Sequence, residues 1–363
     1  MANAAPQQSS ALPQVLVYDF FSGCGGTSAG LRKAGMKPVF ALDFETEASK
    51  TYQENFPGAE FLCDDVRSVL TSDISHLFQS PRRNPILFSA CAPCQPFSRQ
   101  NRQKRVSDGR MTLLTELHRF VLRFRPEFLF IENVPGLRNV GDGNDASPFS
   151  SLLTLLDELG YHHDCKVLRA LDYGVPQSRQ RLILIASAFG PIRLPEPTHG
   201  PNLQPYATVR QAIGRFPALL AGESDPVIVN HRAASLSGLN VKRIRSTREG
   251  EGRSNWSHDL RLACHGDRKI FTDVYARMWW DRPAPALTTR CISLSNGRFG
   301  HPEQDRAVSV REAAALQTFE DDFVFKGTLN GMAKQIGNAV PVLLAEVVGK
   351  AIIQHMAIHL GHH

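Results

Sequence analysis

Short apolar runs recur along the first half of the chain, and stretches with helical spacing separate them. Two of those stretches, Glu47–Phe56 and Met111–Phe124, predict helices. Alternating strands and helices favour an α/β fold with a doubly wound, mainly parallel sheet, in which ligands bind at the carboxyl ends of the strands. The predicted strands are Val15–Phe20, Lys37–Glu45, Ala59–Val66, Pro85–Ala90, Glu127–Val134 and Arg181–Phe189.

The pattern changes after Gly190, where a proline- and glycine-rich stretch is typical of a linker. The chain stays irregular and basic to about Gly300. Helical spacing then returns in Ser309–Phe319 and in Pro341–Leu360, whose proline suits a helix start. The sequence therefore predicts a disordered lead over 1–14, a larger domain from 15–194 plus 326–363, and a smaller irregular domain over 195–325.

Composition narrows the class of protein. No apolar run reaches the roughly 18 residues that span a bilayer, and the first residues do not resemble a signal peptide, so we expect no membrane association. Seven scattered cysteines favour free thiols in a reducing compartment. The net charge of +6 favours a polyanionic partner, although a mildly basic enzyme without one would carry the same charge. The basic runs RQNRQKR and VKRIRSTREGEGR are either part of such an interface or solvated surface.

A glycine-rich segment, DFFSGCGGTSAG, follows the first predicted strand. Gly23, Gly25 and Gly26 allow a tight turn and close approach of the backbone to a ligand. The spacing is neither the dinucleotide fingerprint nor a phosphate loop. Asp43 and Asp65 end the next two strands, where they are placed for ribose hydroxyls and an adenine amine. We expect a nucleoside cofactor without a required phosphate; the alternative is a turn that only joins strand to helix.

Cys91 and Cys94 follow the fourth predicted strand in ACAPCQPFS. A redox pair is disfavoured because nothing there predicts a helix N-terminus that lowers a thiol pKa. A zinc site needs further ligands, and none stands at suitable spacing, so we expect no metal. Cys94 and Glu132, on neighbouring strand ends, would form a nucleophile and acid pair for covalent catalysis. Taken alone, Glu132 is as easily a cap or a salt-bridged strand end.

Arg179 and Arg181 alternate in QSRQR just before the last predicted strand. Residues two apart on an extended chain share a face, and two guanidinium groups suit a base oxygen or phosphates. An ordinary solvated pair is the alternative. Trp256, Trp279 and Trp280 are expected in the core rather than in base stacking.

Six motifs in a fixed order, DFFSGCGG, PCQPFS, ENV, QSRQR, REAAALQTF and QIGNAVP, closely resemble the bacterial DNA (cytosine-5)-methyltransferases of restriction–modification type. The resemblance runs from Asp19 to about Ala345. It implies a Rossmann-like catalytic domain, a target-recognition domain in the smaller predicted domain, and base flipping. It also implies S-adenosylmethionine as cofactor, S-adenosylhomocysteine as product, double-stranded DNA as partner, a monomer, and a place in the bacterial cytoplasm with the nucleoid.

The resemblance assigns roles residue by residue. Cys94 would attack carbon 6 of cytosine and Glu132 would contact nitrogen 3 and the amine. Arg181 would contact the base carbonyl, and Arg179 would support the flipped base. Implied cofactor residues are Phe21, Ser22, Gly23, Gly25, Gly26, Asp43, Phe44, Asp65, Val66, Pro93, Asn338 and Val340. Implied DNA contacts are Gln95, Ser98, Arg99, Arg110, Lys242, Arg243 and Arg245.

One departure from the family pattern, one expected lid and two rival functions accompany this assignment. Asp43 stands where the family usually has a glutamate, so its ribose contact is expected to be less direct. The segment Ser98–Arg110 is expected to close over DNA as a lid. The rivals are a transfer-RNA cytosine methyltransferase, which usually carries a Cys-Phe-Thr tripeptide where this chain offers only CIS at Cys291, and an inactive homologue that only binds DNA.

Overall fold

The computed structural model describes residues 12–78, 81–92, 113–139, 147–261 and 273–361. The strands are β1 Leu16–Phe20, β2 Lys37–Leu42, β3 Glu60–Leu62, β4 Ile86–Ala90, β5 Phe128–Asn133, β6 His162–Arg169, β7 Gln177–Ser178, β8 Gln180–Ser187 and β9 Ala284–Pro285. The helices are α1 Gly26–Lys33, α2 Thr46–Asn55, α3 Glu116–Phe124, α4 Pro148–Glu158, α5 Val209–Ile213, α6 Gly238–Arg245, α7 Val310–Leu316, α8 Leu329–Asn338 and α9 Val342–His359.

Seven strands form one sheet in the order β3-β2-β1-β4-β5-β8-β6. The first five pair in parallel, whereas β8 runs antiparallel to both β5 and β6. The short strands β7 and β9 pair separately. The predicted doubly wound, mainly parallel α/β sheet is confirmed.

The central strands are apolar because helices cover both faces of the sheet. Every residue of β4 and of β5 is buried. Neighbouring side chains on β4 point to opposite faces: Phe88 packs in the core that contains Phe120 of α3, and Leu87 packs in the core that contains Val348 of α9. The edge strand β6 was missed, since its sequence HHDCKVLR is polar and largely exposed.

The region Leu329–His359 is apolar and long enough to pass as a membrane span, which the sequence analysis did not anticipate. However, 67% of its most apolar window is buried inside the protein. Helix α9 lies close to α1, where a Cβ on Gly30 would stand 2.3 Å from the carbonyl oxygen of Val342. The region therefore contributes a core helix.

The described part of 195–325 splits between two cores. A small cluster holds Ile244, Trp256, Leu260, Tyr275, Leu294 and Ala307. By contrast, α5 and α7 pack in the cluster that contains Tyr52 of α2 and Phe56, which follows that helix. Trp256 is only 2% exposed, in line with its expected place in a core. The start of this segment and much of its second half thus pack on the larger domain, and the domain boundary remains a prediction.

A buried ion pair joins the small cluster to α7. Both terminal nitrogens of Arg306 lie 2.7 Å from the carboxylate oxygens of Glu312, and both side chains are almost fully buried. Glu312 also accepts the Ser309 N–H and completes the capping box that starts α7. Burial acts to raise the pKa of Glu312, but the hydrogen bonds and charge of Arg306 hold it below its ordinary value.

We expect Glu312→Gln to lower the free energy of unfolding by about 3–5 kcal/mol, because Arg306 would keep an uncompensated buried charge. Urea denaturation of the two proteins measures the loss. The matched control is Asp281→Asn, which breaks the exposed pair with Arg210 and should leave the midpoint almost unchanged. Equal losses in the two variants would contradict the role given to the buried pair.

Candidate active site

A cavity of about 430 Å³ lies where the parallel strands end. Its walls come from the residues that follow β1, β2, β3 and β4, from the end of β5, and from the carboxyl end of α8. Parallel strands bring their carboxyl ends to one edge, which is where an α/β sheet binds its ligands. Implied cofactor residues that line the cavity are Phe21, Ser22, Gly23, Gly26, Asp43, Phe44, Asp65, Val66, Asn338 and Val340.

The glycine segment forms the predicted tight turn. Phe21, Gly23 and Gly25 have positive φ angles of 57°, 53° and 93°. Gly26 opens α1, and a Cβ there would stand 2.6 Å from the Val340 carbonyl oxygen. The absence of a side chain at this position lets the α8–α9 connection rest on the turn and close the cavity.

Asp43 organises this turn. Its carboxylate accepts the Gly23 N–H at 2.8 Å and the Glu45 N–H at 2.9 Å, so it ties the glycine turn to the end of β2. Burial raises the pKa of Asp43 above its ordinary value. Each oxygen keeps a second lone pair, and the expected contact with ribose hydroxyls stays a prediction.

Asp65, the expected partner of an adenine amine, forms an exposed ion pair with Arg67, whose nitrogens lie 2.9 and 2.5 Å from the two carboxylate oxygens. The Arg67 guanidinium holds the pKa of Asp65 below its ordinary value. Nearby, Arg119 donates to the carbonyls of Val66 and Val69 and fixes the loop after β3. Neither arginine was identified from the sequence, since an isolated arginine carries no motif.

The lining suits a cationic nucleoside ligand better than a phosphate. Asp43, Glu45, Asp64 and Asp65 are acidic, and the basic side chains of the lining already have partners. Lys334 is bound to Glu45 at 2.6 Å, Arg67 to Asp65 and Arg181 to Glu132, while Arg179 donates to backbone carbonyls. The hydroxyl of Ser22 is buried against the cavity without a hydrogen-bond partner among the described residues. Acids that accept hydroxyl and amine donors, together with a spare hydroxyl, fit a nucleoside bearing a sulfonium and an amino group.

Glu132 and Arg181 face each other at the end of β5. The Arg181 Nε lies 2.7 Å from the Glu132 Oε1, although the angle is not that of a hydrogen bond. Asn133 donates to the Ala92 carbonyl at 3.1 Å, so the chain just before Cys94 is held beside Glu132. The predicted residues Pro93, Cys94, Gln95, Ser98, Arg99 and Arg110 lie outside the described residues.

Arg179 and Arg181 both line the cavity, so they are not an ordinary solvated pair. Arg179 is 2% exposed and donates to the carbonyls of Leu287 and Gly337 at 3.0 and 3.1 Å. It therefore clamps the chain after β9 to the end of α8. Arg181 instead pairs with the Glu132 carboxylate, so the two alternating arginines have different partners.

Comparison with known proteins agrees with this geometry. A family model described as C-5 cytosine-specific DNA methylase matches residues 15–354. The chain belongs to this family. It is a DNA (cytosine-5)-methyltransferase, as the motif order indicated.

Two relatives match this methylase over most of both chains. The Type II methylase M.HgiDII of Herpetosiphon aurantiacus is 36% identical and is matched over 93% of this chain and 94% of its own. The Type II methyltransferase M1.HphI of Haemophilus parahaemolyticus is 35% identical over 93% and 86%.

Solved structures show the same fold. A DNA modification methyltransferase encoded within an E. coli prophage superposes with a TM-score of 0.68 at 22% identity, over 94% of this chain and 99% of its own. The S. pombe Dnmt2 methyltransferase gives a TM-score of 0.61 at 17% identity, over 96% and 99%.

One predicted DNA contact of the methylase is corrected. Arg243 is 4% exposed, donates to the Leu260 carbonyl at 2.9 Å, and stacks its guanidinium on Trp256 and Tyr275. This arginine supports the small cluster and is not offered to DNA. Its neighbours differ: Lys242 is exposed, and Arg245 is exposed beside Asp305.

We expect Arg243→Met to lower the free energy of unfolding by about 2 kcal/mol, because the buried Leu260 carbonyl loses its donor. The matched variant Lys242→Met, one residue earlier on the exposed side of α6, should change stability by less than about 0.5 kcal/mol. Thermal unfolding of both proteins measures the difference. A stable Arg243→Met protein would argue against the structural role.

Proposed function

We propose that this methylase transfers a methyl group from S-adenosylmethionine to carbon 5 of a flipped-out cytosine in a short specific sequence of double-stranded DNA. The observation that carries the proposal is the Glu132–Arg181 pair, which stands beside the chain leading to Cys94 at one end of an acid-lined cavity. The names of the two relatives, both Type II, support a place in a restriction–modification system, where methylation protects DNA from a cognate endonuclease.

The cofactor would be held by the glycine turn, by Asp43 and Asp65, and by the end of α8. Phe21 and Phe44 would lie near the adenine, and Asn338 and Val340 would close the far wall. S-adenosylmethionine supplies an electrophilic methyl group on sulfonium, which carbon 5 takes up. The chain's own contribution is to bind and orient it and to exclude water from the cavity.

Carbon 5 of cytosine is a poor nucleophile, and the protein raises its reactivity from the opposite side of the ring. The Cys94 thiolate adds to carbon 6 and turns the ring into an enamine. Glu132 assists by a hydrogen bond or proton at nitrogen 3, and Arg181 donates to the base carbonyl oxygen. After carbon 5 has taken the methyl group, a base removes the carbon 5 proton, and the electrons of that C–H bond expel the Cys94 thiolate and restore the aromatic ring.

The target base is inaccessible inside a duplex, so the protein must flip it out at a cost of a few kcal/mol. Exposed basic groups such as Lys242 and Arg245 would hold phosphates. Gln95 would also contact the DNA, together with Ser98, Arg99 and Arg110 of the expected lid. We place this activity in the bacterial cytoplasm, with a monomer acting on DNA.

The test is bisulfite sequencing of genomic DNA from a methylation-free host that expresses the protein. The wild type should protect cytosines in one short motif, and Cys94→Ala should protect none. Cys91→Ala is the matched control and should retain the pattern. Cys91 contacts Thr27 at 3.3 Å, and burial raises the pKa of its thiol well above the ordinary value, so it supplies no thiolate.

Activity retained by Cys94→Ala would remove this cysteine from the mechanism. No protected cytosine in the wild type would contradict DNA methylation in that host, and transfer RNA with labelled cofactor would be the next substrate. Cys291, the nearest match to the transfer-RNA tripeptide, is fully buried and donates to the Ala333 carbonyl, which does not favour that alternative.

A further inference from the structure

Asp19 is a fully buried carboxylate on β1, two residues before Phe21, which lines the cavity. Its oxygens accept the Ser28 hydroxyl at 2.6 Å and the Ser89 hydroxyl at 2.5 Å. Ser28 lies on α1 and Ser89 lies on β4. Thr27, next to Ser28, and Cys91, which directly follows β4, both line the cavity. One carboxylate thus holds together the three elements that carry the glycine turn and the chain leading to the nucleophile.

Asp19 has no positive partner in the described ranges of the chain. The Ser28 hydroxyl continues to the Tyr52 hydroxyl at 2.8 Å. Asp19 also interacts electrostatically with three other ionisable groups, which are Asp43, Cys24 and Cys91. All of these are neutral or negative. A buried carboxylate is normally paired with a cation, and here the available place for a positive charge is the cavity itself.

We propose that Asp19 is a charge-selecting residue whose ionised form favours the cationic methyl donor over its neutral thioether product. This inference rests on the proposed function. S-adenosylmethionine and S-adenosylhomocysteine differ by one methyl group and one positive charge. Their adenine, ribose and amino-acid parts are identical, so contacts with those parts do not discriminate between the two ligands by charge. A negative group behind the turn attracts the sulfonium through a medium of low dielectric constant and leaves the thioether unaffected.

The direction of the pH dependence follows from the burial of Asp19. Burial raises its pKa to about 6, against the lowering effect of the Ser28 and Ser89 hydroxyls. Below about pH 6 the carboxyl is neutral and the preference for the sulfonium is lost; above it the carboxylate is charged and the preference is present. By linkage, sulfonium binding near pH 6 releases a proton, and thioether binding does not.

Isothermal titration calorimetry of the full chain tests this with both ligands between pH 5 and pH 7.5, in buffers of different ionisation enthalpy. We expect the dissociation constant of S-adenosylhomocysteine, divided by that of S-adenosylmethionine, to rise about tenfold as the pH is raised, with a midpoint near pH 6. A tenfold change corresponds to one pKa unit of coupling. Proton release should accompany the sulfonium ligand alone. In Asp19→Asn both effects should disappear.

Two further variants make the test specific. Ser89→Ala removes a donor to the ionised carboxylate, so the midpoint should move to higher pH. Asp164→Asn is the matched control, because Asp164 is a buried carboxylate on β6 that accepts the Leu194 N–H, away from the cavity. In Asp164→Asn the ratio of the two dissociation constants should change with pH as it does in the wild type.

A ratio of dissociation constants that does not change with pH in the wild type overturns the inference. A pH dependence that persists in Asp19→Asn also overturns it, because the titrating group would then be Asp43. If Asp19→Asn does not fold, an unchanged midpoint in Ser89→Ala overturns it. Failure to bind either ligand at any pH overturns the proposed function as well, whereas binding of both with a fixed ratio overturns this inference alone.

Discussion

The close approach of α1 and the glycine turn to the C-terminal helices is the contact on which the site depends. Gly26 lies under the Val340 carbonyl, and Gly30 lies under the Val342 carbonyl, at distances that exclude any side chain. This contact joins the first strand–helix unit to the end of α8. It supplies the wall of the cofactor cavity that the strand ends alone leave open.

Polar side chains then fix the remaining walls by binding backbone groups. Asp43 holds the glycine turn, Arg119 holds the loop after β3, and Arg179 holds the end of α8. Each of these charged groups binds peptide groups, which preorganises the cavity before a ligand enters it. The Glu132–Arg181 pair instead joins two charged side chains that both line the cavity.

Much of this architecture could be predicted from the sequence because the parallel strands are buried on both faces. Such strands appear as continuous apolar runs, and motif order then identified the glycine turn, Glu132 and the arginine pair. The edge strand β6 was missed because its side chains are polar. The burial of Arg243 was missed because it depends on Trp256 and Tyr275, which reach it only through the tertiary fold. The pairing of Asp65 with Arg67 is local, between residues two apart, and was missed because an isolated arginine carries no motif.

The wall formed by Val340 has a consequence for synthesis of the protein. Translation from the N-terminus produces the glycine turn and the residues of the small cluster before the α8–α9 connection. A nascent chain that stops short of that connection lacks one side of the cofactor cavity. Completion of the cavity is therefore coupled to translation of the α8–α9 connection, which comes more than 300 residues after the glycine turn.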